Sequence, residues 1–195
     1  MAGAGAAEAA HVKRLLAKVQ GNDVDVLKLH HHLGPDANRA VIGAVLSALM
    51  HCESCQVLYM QNFNEGVTDA EMDLLVEVLR RGRIWCVNLG ENYKVTTQRW
   101  WQFCDELAHT QVTHMYVSDH VIPAELKTSM RSVIRANRSK HGRHSDPANM
   151  AVIKRCTNMW WNPINHFKSQ MRRRPTRRAG RRVLAGSSSS SAAVS

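Results

Sequence analysis

Apolar residues recur at the same positions in four short segments of the chain. The segments are VDVLKLHHH from Val24, CQVLYMQNF from Cys55, IWCVNLGEN from Ile84 and VTHMYVSDH from Val112. Each has apolar residues at its first, fourth and sixth positions, and successive sixth positions are 31, 29 and 28 residues apart. A nearly constant period of this length is typical of one structural unit stacked on itself.

Each segment is followed by a loop and then by apolar residues at helical spacing. An i, i+3, i+4, i+7 pattern places such residues on one face of a helix. The first three sets are Val41, Ala44, Val45 and Ala48; Met72, Leu75, Val76 and Leu79; and Trp100, Phe103, Cys104 and Leu107. A fourth, less regular set is Leu126, Met130, Val133 and Ile134. The pattern predicts strand, loop, helix and return loop, repeated four times.

Residues that commonly begin or end helices stand beside these stretches. Asp36 precedes the first stretch, and Thr68 with Glu71 forms a capping box for the second, which Gly82 ends. Pro123 fits the first turn of the fourth.

Both ends of the predicted stack carry a further helical pattern. Residues 6–20 place Val12, Leu15, Leu16 and Val19 on one side. A second helix begins at residues 145–147 and carries Met150, Ile153, Cys156 and Trp160. It is expected to stop near Asn162, because the residue before a proline is disfavoured in helical geometry. Terminal units of a repeat stack need such caps, since they would otherwise expose their cores.

The four units resemble leucine-rich repeats of the ribonuclease-inhibitor type, in which a short parallel strand alternates with a full helix at a similar period. The resemblance covers residues 24–138. The family's asparagine at position nine is present as Asn92, whereas His32, Phe63 and His120 occupy the other three positions.

The resemblance implies an α/β leucine-rich-repeat solenoid of about four units, with a parallel sheet on its concave side. Residues 1–22 would form an N-terminal capping helix, 23–140 the repeat stack, and 141–167 a C-terminal capping helix. Residues 168–195 would form a disordered Arg/Ser-rich tail. An ordinary α/β sheet, with the same strands and helices but no curved stack, is the alternative.

In that family, positions four and six point into the core, while positions three, five, seven and eight face outward on the concave sheet. Such a face, with its two tyrosines and several amides, would suit protein binding, because Tyr supplies large contact area at low entropy cost. The alternative is a solvated surface without a ligand. The candidate partner-binding residues are Lys28, His30, His31, Tyr59, Gln61, Asn62, Asn88, Glu91, His114, Tyr116 and Asp119.

The net charge of +10 is confined to the end of the chain. Residues 1–146 carry 16 Lys plus Arg and 16 Asp plus Glu, whereas the last 49 residues carry ten basic side chains and no acidic one. Such a tail could neutralise nucleic-acid phosphates, direct nuclear import or only solubilise the chain. No aromatic residue follows Phe167, so the tail cannot stack on bases. The candidate tail residues are Arg172, Arg173, Arg174, Arg177, Arg178, Arg181 and Arg182.

Cysteine content and apolar runs indicate where the protein resides. Five cysteines, an odd number without the spacing of a secreted disulfide framework, favour reduced thiols inside the cell. The N-terminus lacks the order of a secretory signal. The longest apolar run, from Ala40 to Met50, is too short to span a bilayer. We expect a cytoplasmic or nuclear protein with no membrane partner.

Metal binding and catalysis are weakly supported. Residues 30–32 are histidines, and His51, Cys52 and Cys55 resemble half of a zinc site. The two groups fall at opposite edges of the predicted sheet, about 20 Å apart, which is too far for one zinc shell. A redox pair of Cys52 and Cys55 is equally poorly supported. Phosphate-loop and nucleophile-elbow motifs are absent from the sequence. We expect neither enzyme activity nor a cofactor or metal.

The string WWNPINHF is the most unusual of the sequence. Trp160 and Trp161 either close the last core layer, which is the favoured interpretation, or expose one ring as a docking knob.

Two functional hypotheses follow. The first is a non-enzymatic module that binds a protein partner through the concave face. The second is a nucleic-acid or ribonucleoprotein accessory protein whose Arg-rich tail supplies the phosphate contacts.

Overall fold

The computed structural model describes residues 3–61, 63–81, 83–118 and 122–142. The strands are β1 Val26–Lys28, β2 Val57–Tyr59, β3 Cys86–Gly90 and β4 His114–Val117. The helices are α1 Gly3–Gln20, α2 Leu29–Leu33, α3 Arg39–Leu49, α4 Asp69–Arg81, α5 Thr97–Leu107 and α6 Ala124–His141. Gly82, Trp160, Trp161, the predicted C-terminal capping helix and the Arg-rich tail lie outside the described residues.

The four predicted strands are confirmed, and they form one parallel sheet. Strand order follows the sequence, β1-β2-β3-β4, so each strand pairs with the next one along the chain. Leu27, Leu58, Val87 and Met115 form one row across the sheet. Parallel neighbours require a crossover connection, and each crossover here contains at least one helix. The fold is therefore a mixed α/β fold with a four-stranded parallel sheet.

The core lies between the helices and one face of the sheet. Leu27, Leu58 and Val87 are fully buried in the same cluster as helix residues such as Leu75 and Phe103. Alternate strand residues point to opposite sides of a sheet, so one set of alternate positions builds this core.

The predicted inward face is confirmed for α4 and α5 and is correct only in part for α3, where Val45 is buried and Val41 and Ala48 pack against the core. In α3 the buried residues are Ile42, Val45, Leu46 and Leu49, whereas the predicted face includes Ala44, which is exposed. Both sets have the i, i+3, i+4, i+7 spacing. The observed face is the buried one because its side chains are larger and remove more apolar area from water.

Two helix starts differ in detail from the prediction. Asn38, rather than Asp36, caps α3, and its side chain accepts a hydrogen bond from the Ala40 N–H at 2.8 Å. The Asp36 carboxylate instead accepts a hydrogen bond from the Asn64 side-chain amide of the next unit, at 2.7 Å. The predicted box before α4 is present in part, since Glu71 accepts from the Thr68 N–H at 2.8 Å.

The histidine run does not continue strand β1. Residues 29–33, Leu-His-His-His-Leu, form the short helix α2, in which Leu29 and Leu33 are buried. Two leucines four residues apart lie on the same side of a helical turn. The core therefore takes both leucines, and the three histidines lie on α2 instead of an extended strand.

Asn92 joins the second and third units below the carboxyl ends of their strands. Its side chain is 1% exposed. The Asn92 amide donates to the Met60 carbonyl at 3.2 Å and to the Leu89 carbonyl, and its oxygen accepts from the Val67 N–H at 3.2 Å. At the equivalent position of the preceding unit, Phe63 is buried in the core instead.

Helix α1 covers the first unit. Its Leu15 and Val19 are buried in the core cluster, as predicted, and α1 packs against α2 and α3. No helix among the described residues has the length and apolar character needed to cross a bilayer.

We expect Asn92→Ala to lower the free energy of unfolding by about 2–4 kcal/mol, because it leaves buried backbone groups of both units without partners. Asn64→Ala is the matched control, since Asn64 makes an exposed hydrogen bond, and it should change stability by no more than about 0.5 kcal/mol. Urea denaturation of both variants measures the difference. Equal losses would show that Asn92 does not join the units.

Candidate functional site

The face of the sheet opposite the helices collects six of the eleven predicted partner-binding residues. Pairing aligns Lys28, Tyr59, Asn88 and Tyr116 in one row, and Val26, Val57, Cys86 and His114 in the row before it. We define the outward sheet face as these two rows together with Gln61 and Gly90.

Several predicted site residues lie elsewhere. His30 and His31 lie on α2. Glu91 follows β3, where its carboxylate accepts from the Tyr93 hydroxyl at 3.1 Å and from the Ser118 hydroxyl at 3.4 Å. Asn62, Asp119 and the seven tail arginines are outside the described residues.

The centre of the outward sheet face is buried, which corrects the expected exposure. Tyr59, Gln61 and Asn88 are 0% exposed and His114 is 6% exposed. Only towards the edge strands does the face open, since Lys28 on β1 and Tyr116 on β4 are half-buried. Polar side chains on a sheet face are usually interpreted as solvated, and here that interpretation is wrong.

This buried centre is separate from the main core. Among the described residues, four buried apolar side chains do not belong to the core cluster: Val57, Tyr59, Trp85 and Cys86. The ring centroids of Trp85 and His114 are 5.3 Å apart in an edge-on arrangement. The sheet is therefore buried on both faces.

Three polar atoms of two amide side chains at this centre lack hydrogen-bond partners. Both polar atoms of the Gln61 side chain, and the Nδ2 of Asn88, are buried without a partner. The Oδ1 of Asn88 is satisfied, because it accepts from the Gly90 N–H at 3.0 Å. Leaving a buried polar group unpaired costs about 1–3 kcal/mol, so these atoms mark a place where a ligand could supply bonds.

Gly90 allows Gln61 to lie close to the backbone of β3. A Cβ at position 90 would come within 2.6 Å of the Gln61 Cβ, and the φ of Gly90 is +53°. Both the close approach and the positive φ require glycine here.

His114 is held by its neighbours. Its Nδ1 lies 3.0 Å from the Thr113 hydroxyl, and its ring contacts Trp85. Each of four residues of the face has at least one interaction partner: Tyr59, Cys86, His114 and Tyr116.

The zinc candidates do not come together. The described residues contain no group of three or more His, Cys, Asp or Glu side chains placed to hold a metal ion. Cys55 is fully buried in the core, and this burial raises the pKa of its thiol.

The histidines of α2 lie in a basic environment. Burial, followed by the nearby charges of His31 and Lys28, lowers the pKa of His30. Burial, followed by His11 and Lys18 of α1, lowers the pKa of His32. The rings of His11 and His32 are 6.0 Å apart.

Trp85 is the site residue that sequence reasoning missed. It stands at the second position of its segment, where the others have Asp25, Gln56 and Thr113. Its indole N–H donates to the Gln56 side chain at 3.1 Å. An indole in place of three polar side chains was a signal that the surroundings of this position are buried.

No protein-family model matches the chain, and no curated protein sequence matches it. The solved structure of "Leiomodin-1 Actin-Binding Site 2 (ABS2)" aligns with 67% of this chain and 91% of its own, at 11% identity and a TM-score of 0.48. A likeness at this level carries no argument about function.

We expect Gln61→Met to raise the free energy of unfolding by about 1–2 kcal/mol, because a side chain of similar size removes two unpaired polar atoms from a buried site. The same substitution at the exposed Gln102 of α5 is the control, and it should change stability by less than about 0.5 kcal/mol. Chemical denaturation measures both. A loss of stability in Gln61→Met would show that the amide is satisfied.

We expect stability to fall as the pH drops below the ordinary histidine value of 6.5. Lowered folded pKa values mean that the unfolded chain takes up protons first, so the contribution of His30 and His32 is complete above that pH and is lost below it. The variant His30→Asn/His32→Asn should show a shallower slope than wild type in urea midpoints between about pH 7.5 and 5.5. Asn64→Ala, which changes an exposed residue without a titratable side chain, should retain the wild-type slope.

Proposed function

We propose that the chain is a non-enzymatic protein-interaction module, built as a short leucine-rich-repeat solenoid, which binds a segment of a partner protein across the outward sheet face. The observation that carries this proposal is the buried centre of that face, where Gln61 and Asn88 have unpaired amide groups.

The composition of the face suits a protein ligand. Tyr59 supplies an aromatic ring beside the small side chains of Val57 and Cys86, all of them buried. Trp85, which directly precedes β3, adds a second ring that contacts His114 of the face. Binding energy at protein interfaces concentrates in such desolvated aromatic centres surrounded by polar groups.

The unpaired amides indicate the chemistry of the partner segment. Asn88 offers a donor, and Gln61 offers a donor and an acceptor. Backbone peptide groups or Asn and Gln side chains carry the matching groups. None of the buried residues of the face is Lys, Arg, Asp or Glu, so we expect a partner segment that is neutral at its centre.

Side-chain hydrogen bonds between successive units support the solenoid part of the proposal. Asn64 bonds Asp36 across 28 residues, Lys94 bonds Glu65 across 29, and Ser118 bonds Glu91 across 27. Links that recur at the repeat spacing are expected where each unit contacts only its neighbours.

The second candidate is phosphate binding by the C-terminal arginines. Residues 1–146 are neutral overall, and the excess of ten positive charges lies beyond them. Nucleic-acid binding by such a segment would be strongly salt-dependent and largely indifferent to sequence.

The test is affinity capture with crosslinking from nuclease-treated lysate, using wild type, Gln61→Met and Gln102→Met, with washes at about 0.5 M salt to screen exposed charges. We expect proteins that wild type and Gln102→Met retain and that Gln61→Met loses by at least about tenfold. Because Gln61→Met should be the more stable chain, such a loss cannot come from unfolding.

Other outcomes decide against the sheet face. Identical capture by all three chains would exclude Gln61 from the binding site. In parallel arms without nuclease or with low-salt washes, capture seen only there, or capture lost in Arg172→Ala/Arg173→Ala/Arg174→Ala, would favour the tail hypothesis.

A further inference from the structure

Basic side chains of the first unit gather around the short helix α2. They come from α1, β1 and α2, which follow one another in the chain. Helix α2 packs against α1, and the ring centroids of His11 and His32 are 6.0 Å apart across the two helices. The rings of His30 and His31 are 4.3 Å apart in an edge-on arrangement. We define the basic cluster as His11, Arg14, Lys18, Lys28, His30, His31 and His32.

The basic cluster lacks the carboxylate partners that several basic residues of the other units have. Arg99 contacts Asp73 at 2.6 Å and Glu106 at 3.0 Å. Lys94 contacts Glu65 at 2.6 Å. Among the described residues, no ion pair includes a side chain of the basic cluster. Its charges are therefore not neutralised by the part of the chain that the structure describes.

The acidic residues nearest in sequence lie away from the histidines of α2. Asp23 and Asp25 stand at the amino end of β1, whereas α2 follows the carboxyl end. Asp25 is three residues, or about 10 Å of extended strand, before Lys28. The Asp36 carboxylate is engaged by the Asn64 amide at 2.7 Å. Strand β2, which also packs against α2, is Val-Leu-Tyr and has no charged side chain.

Like charges therefore surround the histidines of α2. Burial, followed by the positive charges of neighbouring His and Lys side chains, lowers the pKa of both His30 and His32. The neighbours on other elements are His11 and Lys18 of α1 and Lys28 of β1. Within the described part of the chain, the buried Nδ1 of His30 has no hydrogen-bond partner. Each added proton meets repulsion, which an anionic group beside the basic cluster would relieve.

The shape of the basic cluster fits a row of carboxylates better than a single small anion. His11, Arg14 and Lys18 are three and four residues apart, so they follow one flank of α1 over about 10 Å. Lys28 and the α2 histidines continue the row on the next two elements. One phosphate reaches only groups within hydrogen-bond distance of its oxygens. Successive Asp or Glu side chains of a peptide can each contact a different basic group.

We propose that the basic cluster binds an acidic segment of a partner protein, and that this binding strengthens as the histidines of the cluster become protonated. The site does not depend on the function proposed for the outward sheet face. In the free chain His30 and His32 have lowered pKa values, and a bound carboxylate favours their charged form. Binding therefore takes up protons. By linkage, the affinity rises as the pH falls through the range between the bound and the free pKa values.

Binding of a fluorescent peptide of ten glutamates tests the proposal by anisotropy. The parent protein is the full chain with its seven tail arginines replaced by glutamine, because those arginines would bind the peptide at every pH. At about 50 mM salt, which screens exposed charges weakly, we expect Kd to fall at least about tenfold from about pH 7.5 to 5.5. A peptide of ten glutamines should not bind. Absence of binding by the glutamate peptide, or a Kd independent of pH, would overturn the proposal.

Substitution of the histidines locates the binding. In the parent protein, His11→Asn/His31→Asn/His32→Asn should lose most of the gain in affinity at low pH. His109→Asn, at an exposed position after α5, is the matched control and should bind as the parent does. Urea midpoints at about pH 7.5 show that the variants are folded. A folded triple variant that retains the full pH-dependent gain would contradict the proposal.

The lysines provide a second test that leaves every histidine in place. Lys18→Gln/Lys28→Gln should weaken peptide binding at both pH values and keep its pH dependence, and unchanged binding would count against the basic cluster. Gln61→Met, at the centre of the outward sheet face, should bind the peptide as the parent does, so the two proposals can fail separately. Competition by inorganic phosphate beyond that of sodium chloride at equal ionic strength would assign the cluster to small anions and overturn the acidic-segment proposal.

Discussion

Lateral backbone hydrogen bonding between successive strands is the constraint on which this structure depends. The Gln56 N–H donates to the Asp25 carbonyl at 2.9 Å, the Trp85 N–H to the Gln56 carbonyl at 3.0 Å, and the Thr113 N–H to the Trp85 carbonyl at 2.9 Å. These bonds set the register of all four strands at their amino ends. A slip of one residue would exchange the two faces of a strand and move leucines out of the core. The two faces therefore keep their identity only because this register is held.

The features visible in the sequence are those set by burial against the helices. Leu27, Leu58 and Val87 alternate with residues of the other face, and this alternation predicts the strands. Where two sets of residues had the same helical spacing, the sequence pattern could not show which set is buried. In α3, Ile42 and Val41 each start a set with helical spacing, and only the packed structure shows that the larger side chains turn inward. In α2, burial of both Leu29 and Leu33 favours a helical turn over continuation of strand β1.

The burial of the outward sheet face could not be predicted, for a different physical reason. A hydrophobic pattern reports which side a residue points to, and it does not report what lies above that side. Tyr59, Gln61 and Asn88 are the residue types found on wet surfaces, yet they are 0% exposed. Parallel sheets are commonly covered on both faces. The buried indole of Trp85 is consistent with this rule, whereas the polar residues near it suggest an exposed surface.

Strand order that follows chain order has a consequence for how the molecule folds and how it can change. Each strand pairs with a strand that begins 28 to 31 residues away in sequence, so none of these pairings needs a distant part of the chain. A whole unit could be duplicated or removed without disturbing the pairing rule for the remaining strands. A single residue inserted within β3 would instead move every following side chain of that strand to the opposite face of the sheet. Insertions or deletions of a full unit should therefore be tolerated better than insertions or deletions of one residue within a strand.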